Sequence, residues 1–277
     1  MSTGDLSNRR DFSRKAVLAG TIPAMALAGH STSGQDTSAD VDISQAIQQL
    51  ARTAKDRSMA DTDILPAEKT AFIIIDMIHL FCDPKWMSGG NQQTESWLVN
   101  EFASIIPNLQ RVLQAFRQTN ALIVHVMNAK WTPDSREVVR YQQGRDYGLF
   151  DSKRMSVIDA LKPRPGEIQI RKVTSSAFTA TGLDFMLRNA GIENIVFGGQ
   201  YGNACVFYSM IQSREFGFRN YWVDDAILYG NESSRMIFEP LVGTYWAKLA
   251  STPDIVRCLL YTSPRPRDRG CSRMPSS

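Results

Sequence analysis

From about Val41 onward, short apolar runs alternate with stretches whose apolar residues recur at helical spacing, each closed by glycine or a polar turn. Ala71-Phe72-Ile73-Ile74-Ile75 is uninterrupted and rich in β-branched residues, so it reads as a strand buried on both faces. Phe102, Ile105, Ile106, Leu109, Leu113 and Phe116 then follow at three- and four-residue spacing, which predicts a helix. Residues 121–126 predict a second strand and 167–171 a shorter third. The stretch 183–190 is helical and stops at Gly191, and Ile195-Val196-Phe197 is a strand ending in Gly198-Gly199. Residues 205–216 are helical up to Gly217, and Tyr221-Trp222-Val223 is a further strand. This alternation, with no internal repeat, predicts one α/β domain over residues 41–257 around a mostly parallel central sheet.

Composition changes that picture little: 43% hydrophobic and 21% charged residues are ordinary for a globular chain of 277 residues. Charge placement is more informative. The net charge is +3, yet removing residues 1–28 and 258–277 leaves 23 basic against 25 acidic side chains. The basic excess therefore belongs to the two ends, and it gives no nucleic-acid footprint. The four cysteines match no zinc spacing and are too few for a disulfide scaffold.

The N-terminal segment Asn8-Arg9-Arg10-Asp11-Phe12 resembles a twin-arginine export signal, followed by a weakly apolar run and a small-x-small site at Ala26-Leu27-Ala28. The expectation is removal of residues 1–28, a Ser/Thr/Gly/Asp linker over 29–40, and work in the periplasm or outside the cell. An amphipathic helix that stays attached is the alternative. The apolar run is far short of the roughly 20 residues that span a bilayer, so no stable membrane insertion is expected. At the other end, Cys258-Leu259-Leu260-Tyr261-Thr262-Ser263 is what the codons tgt ctc tta tac aca tct encode, which resembles a transposase adapter used in sequencing libraries. The expectation is that residues 258–277 are an unstructured artefact, or else a genuine basic tail, and no function is assigned to them.

In open parallel sheets, ligands sit beyond the carboxyl ends of the strands. Asp76 directly follows the first predicted strand, Lys172 the third, and Cys205 lies a short loop past the fourth, at the start of a helix. A cysteine there has its thiolate favoured by unpaired N–H groups, and a neighbouring ammonium would lower its pKa further. A buried structural cysteine fits the local pattern equally well. Asp76 reads either as a general base or as a turn or capping residue. Lys172 alone says little, since most lysines are solvated.

Three blocks taken together are more specific. Phe72-Ile73-Ile74-Ile75-Asp76-Met77 through Phe81, then Lys172 with Ser176-Ala177-Phe178, then Gly202-Asn203-Ala204-Cys205-Val206 resemble, in order and spacing, the isochorismatase-like cysteine hydrolase family. The resemblance covers roughly residues 70–252. It implies a three-layer, Rossmann-like α/β sandwich with Asp76, Lys172 and Cys205 as a catalytic triad. It also implies a cis peptide near Gln200-Tyr201 and an oxyanion hole made by the backbone N–H groups of Tyr201 and Cys205. A homodimer or homotetramer is implied as well. Departures lie around the triad: Ile78 and Leu80 hold places usually polar, Lys130-Trp131 follow the second strand, and Gly202 stands where threonine is common. They suggest a more apolar substrate pocket walled by Phe81, Trp131, Phe178, Gln200 and Tyr201.

Family members that use a metal carry an Asp-x-His pair and a second histidine after the first strand. Here His79 and His125 stand apart, so no metal and no cofactor is expected. A cysteine favours acyl chemistry over the vinyl-ether cleavage that isochorismatase itself performs without one. The resulting expectation is hydrolysis of a C–N bond in a small amide or carbamoyl substrate through a thioester. The alternative is a catalytically silent relative serving as a binding or scaffolding subunit. A dinucleotide-dependent oxidoreductase is disfavoured, because no Gly-x-Gly-x-x-Gly follows the first strand.

Overall fold

The computed structural model describes residues 43–83, 85–86, 92–145 and 147–262. The expected export signal and linker, and residues 263–277, lie outside the described residues. The elements run in the order α1 (Ile43–Asp56), β1 (Thr70–Ile75), α2 (His79–Cys82), α3 (Gln92–Thr119), β2 (Leu122–Asn128), β3 (Ile168–Lys172), α4 (Leu183–Asn189), β4 (Asn194–Gln200), α5 (Cys205–Glu215), β5 (Arg219–Leu228), α6 (Glu232–Tyr245), β6 (Lys248–Ala250) and α7 (Thr252–Thr262).

The six strands pair in the order β3-β2-β1-β4-β5-β6, all parallel. Strand β1 is central, and its six residues are all buried because both faces are covered. Phe72 and Ile74 face a core shared with Leu109, Leu113 and Phe116 of α3 and Ile255 and Leu259 of α7. Ala71, Ile73 and Ile75 face the opposite core, with Leu183 and Leu187 of α4, Val206 and Met210 of α5 and Val242 of α6. Alternate side chains thus feed two cores, which makes the expected three-layer α/β sandwich. Chain order reverses across β1, between its neighbours β2 and β4, so a crevice is expected at their carboxyl ends.

Two glycines set how closely the chain can pack there. Gly199 has φ +106°, and a Cβ on it would lie 2.2 Å from the Ile75 carbonyl oxygen. No larger residue fits between β4 and β1 at that point. A Cβ on Gly202 would lie 2.6–2.7 Å from the Tyr229 ring, so that ring occupies the room a threonine would need.

The register of β4 on β5 slips between Phe197–Trp222 and Gly199–Ile227, which bulges Asp224 and Asp225 out of the ladder. Asp225 uses the freedom to accept from the backbone N–H and hydroxyl of Thr252 at 2.9 and 2.8 Å, fixing the start of α7. Asp224 lines a surface cleft together with Glu239 instead; burial, then the charges of Glu239 and Asp225, push its carboxyl up to about 6. Its folded pKa therefore lies above its unfolded one, so the folded state holds the extra proton between about pH 4 and 6. Stability contributed by protonated Asp224 is lost as pH rises through that window, the reverse of the usual carboxylate. Asp224→Asn is expected to raise the neutral-pH stability by about 1–2 kcal/mol, allowing for partial solvent screening. Thermal melts at pH 4 and pH 7 check this: the gain should shrink at pH 4, and an equal gain at both would discard the account.

The sequence reading ends the domain at Arg257, but α7 continues to Thr262. Ile255, Cys258 and Leu259 share one helical face and are buried, so the last turns of α7 belong to the core. Among the described residues, no helix is long and apolar enough to cross a membrane.

Candidate active site

Asp76, Lys172 and Cys205 meet at the carboxyl edge of the sheet. Asp76 is 1% exposed and holds φ +55°, a left-handed conformation that costs a non-glycine residue about 1 kcal/mol or more. That twist turns its carboxylate back over the strands. Its Oδ1 accepts from the Asn128 backbone N–H at 2.9 Å, and its Oδ2 lies 2.9 Å from Lys172 Nζ. Its own N–H donates to the Val126 carbonyl, and Gln200 Nε2 donates to its carbonyl at 2.7 Å.

Lys172 is 1% exposed at the end of β3. Its Nζ also reaches Cys205 Sγ at 3.3 Å and the Thr174 carbonyl at 3.2 Å. With the Asn128 amide turned to satisfy both its groups, Asn128 Oδ1 accepts from Lys172 Nζ at 3.1 Å. Burial opposes its charge, but the Asp76 carboxylate and the contact with Cys205 outweigh burial and hold its pKa above the ordinary range.

Cys205 is the first residue of α5, after Ala204, which offers no side-chain cap. The cis peptide joins Gln200 to Tyr201. The Tyr201 carbonyl accepts from Ala204 and Val206, while the N–H groups of Tyr201 and Cys205 have no acceptor among the described residues. Those two donors sit at the N-terminus of a helix, where negative charge is favoured. The loop is held by Asn203, whose amide bonds Ser234 and the Gly230 N–H, and by Ser209, which links the Cys205 carbonyl to the Ala177 N–H.

One electrostatic expectation is corrected. The sequence reading has Lys172 and the helix N-terminus lowering the thiol's pKa. Instead, burial and then the Asp76 charge push Cys205 up to about 12, against the downward pull of Lys172. The resting group is a thiol, with a carboxylate and an ammonium beside it.

The five expected wall residues divide. Tyr201 is partly buried, and Gln200 is fully buried with Nε2 on Asp76 and 3.7 Å from Cys82 Sγ. Phe81 presents an edge-to-face contact to Tyr147, with centroids 6.2 Å apart. Trp131 is 63% exposed and stacks with Phe150, the Arg171 guanidinium lying between the two rings. Phe178 is a core residue packed on Phe216 and Phe218, because its segment folds down over α5 rather than toward the crevice. Ile78 is likewise in the core, in a bridge to Val157.

Three residues near the triad lie outside the sequence-based expectation for the site. Asn128 sits at the end of β2, and the same strand-end rule could have found it. Cys82 and Tyr147 come from a one-turn helix and a loop, where no period points to them. Burial, then the Asp76 charge, raise the Cys82 thiol above its ordinary range. Burial raises the Tyr147 hydroxyl, and Asp76, Lys172 and Cys205 all act on it.

The histidines belong elsewhere. His125 Nε2 is 2.9 Å from Glu167, which also pairs with Arg117, and burial lowers the pKa of the imidazole. His79 lies 3.6 Å from Asp83 and 3.9 Å from Asp159. Among the described residues, no three His, Cys, Asp or Glu side chains converge as a metal cage would require.

An isochorismatase domain is matched over residues 70–238. The chain is 28% identical over 157 residues to ureidoacrylate amidohydrolase RutB of Caulobacter segnis, a match spanning 50% of this chain and 63% of that protein. A cysteine hydrolase from Pseudomonas syringae pv. phaseolicola 1448A has the same fold, with a TM-score of 0.61 at 18% identity over 73% of this chain and all of that one. N-carbamoylsarcosine amidase from Thermoplasma acidophilum gives a TM-score of 0.54 at 22% identity, over 66% of this chain and 96% of its own. The family is the one that the triad's three blocks resemble. This chain belongs to the isochorismatase-like hydrolase family.

Proposed function

We propose that the protein hydrolyses a C–N bond in a small amide or carbamoyl compound, with Cys205 as nucleophile. The observation that carries this is the buried Asp76–Lys172–Cys205 cluster beside two unspent backbone N–H groups. Asp76 takes the thiol proton as sulfur attacks the carbonyl carbon, and Lys172 holds the thiolate that forms. The carbonyl oxygen becomes an oxyanion facing the Tyr201 and Cys205 N–H groups. Asp76 returns the proton to the departing nitrogen, the C–N bond breaks, and a thioester remains on Cys205. Asp76 then takes a proton from water. The hydroxide attacks the thioester, and sulfur leaves and regains the proton. The amidohydrolase and amidase among the compared proteins support a carbonyl–nitrogen substrate.

Intact-mass alkylation with iodoacetamide tests the nucleophile. The wild type is expected to gain one adduct that Cys205→Ser lacks, slowly at pH 7 and faster toward pH 9 as the elevated thiol ionises. Ammonia release from a panel of small amides and ureido compounds should follow the same cysteine. A folded protein whose Cys205 stays unmodified across that range, with no ammonia released, would leave the silent binding-subunit reading in its place.

A further inference from the structure

At the amino ends of β5 and β6 the chain encloses a cleft of about 540 Å³, within the roughly 300–1,000 Å³ of small-molecule sites. Arg219 begins β5, Lys248 begins β6, and both line it. Cys205 lies past the opposite, carboxyl ends of the strands, and the seven residues of β4 alone span about 20 Å. The walls come from Arg57 just after α1, Arg214 in the last turn of α5, and Tyr245 and Trp246 where α6 turns into β6. A Cβ on Gly243 would lie 2.8 Å from the Ala54 Cβ, so α1 and α6 are in close contact and the chain leaving α1 is held beside the cleft. Arg57, Tyr245 and Trp246 lie outside residues 70–238, so the matched isochorismatase domain does not itself specify this cleft.

Four cations and one carboxylate, Asp56, line the cleft. Two of the cations are balanced, Lys248 by Asp63 and Arg219 by Glu193. Arg57 and Arg214 are not. Each spends one Nη1 donor on the end of α6, Arg57 on the Thr244 carbonyl and Arg214 on the Trp246 carbonyl at 3.3 Å. Capping of the helix accounts for those two bonds. It leaves the other donors of both exposed guanidiniums without an acceptor among the described residues, and neither forms an ion pair there. Asp56 and the negative end of α6, worth about half a charge, leave the pair in net excess. Beside them, the half-buried Trp246 ring is edge-on to Phe207 at 5.5 Å and lies 5.7 Å from the exposed Tyr245 ring. Aromatic faces of this kind take a planar ring. A carboxylate is satisfied by one guanidinium fork, whereas a phosphate ester offers a third oxygen and can accept from two.

We propose that this cleft binds a small phosphate ester carrying a planar ring, of which a nucleoside monophosphate is the simplest. The phosphate takes donors from Arg57 and Arg214, and the ring lies against Trp246 and Tyr245. The site is independent of the amide-hydrolase reading, since it requires neither the thiol nor a substrate at Cys205.

AMP, adenosine and inorganic phosphate are the probes, titrated calorimetrically into the full chain. AMP is expected to bind at least about 10-fold more tightly than either of its parts, and to weaken as salt is raised. Arg57→Gln and Arg214→Gln each keep an N–H for the α6 carbonyl while removing the charge. Each should weaken AMP about 10-fold and leave adenosine within about 2-fold. Trp246→Leu should weaken AMP and adenosine alike. Arg136→Gln, at an exposed cation outside the cleft, should change neither, and Cys205→Ser should bind AMP as the wild type does. AMP binding no tighter than inorganic phosphate, or undiminished in both arginine variants, would overturn the proposal. So would AMP binding that disappears in Cys205→Ser, which would place the ligand in the crevice at the other edge of the sheet.

Discussion

Cys205→Ala is expected to lower kcat for amide hydrolysis by at least about 1,000-fold while leaving the fold in place. On the proposed reading the nucleophile has no stand-in among the described residues: Cys82, the other cysteine near Asp76, sits 3.7 Å from Gln200 Nε2 and is not on Lys172. Without sulfur the site keeps its two N–H donors and its base, which in comparable triads leaves only a small residue of catalysis. Stability should change little, because Lys172 retains Asp76, the Thr174 carbonyl and Asn128 when Cys205 is truncated. Ammonia release measured beside a thermal melt separates the two effects. Undiminished turnover in a properly folded Cys205→Ala protein would exclude thioester chemistry.

Lys172→Met is expected to be the most damaging single change to the fold within the site. It removes an ammonium that is 1% exposed and strands the Asp76 carboxylate, itself 1% exposed. Breaking such a pair from one side costs about 3–5 kcal/mol, because a charge is left buried without its partner. For a domain of this size that lowers the melting temperature by roughly 10 °C. Pairing Lys172→Met with Asp76→Asn should recover about half of the loss, since no buried charge then remains. Urea titrations of the two single variants and the double variant give the coupling directly. A Lys172→Met protein as stable as wild type would mean that the pair is not closed in solution.

The elements legible in the sequence were those whose burial is continuous or strictly periodic. The run Ala71–Ile75 could hardly be anything but a two-faced strand, and the α3 positions from Phe102 to Phe116 repeat at helical spacing. Elements α6, β6 and α7 were not legible, for separate reasons. Pro240 interrupts α6, β6 is three residues long, and α7 completes its apolar face with residues beyond Arg257. In the site, Asp76, Lys172 and Cys205 were legible because each stands at or just past a strand's carboxyl end. The state of the thiol was not, since it depends on how deeply the loop after β4 is enclosed and on how near Asp76 comes. Phe178 was misplaced for a related reason: an aromatic six residues past a buried lysine is as easily a core residue, and only packing on Phe216 and Phe218 decides it.

Asp76, Lys172 and Cys205 ride on β1, β3 and the loop into α5, and β4 lies against β1 at Gly199 with no room for a Cβ. Tyr147 rides on the long excursion between β2 and β3, which also meets the segment after β1 through the Ile78–Val157 bridge and the Ile158 N–H on the Met77 carbonyl. On the amide-hydrolase reading, the reacting groups and the Tyr147 side of the crevice are thus carried by separate stretches of chain. On that reading, a lineage built on this plan changes what it accepts most readily at the exposed turns of the excursion, away from the strand ends that carry Asp76 and Lys172.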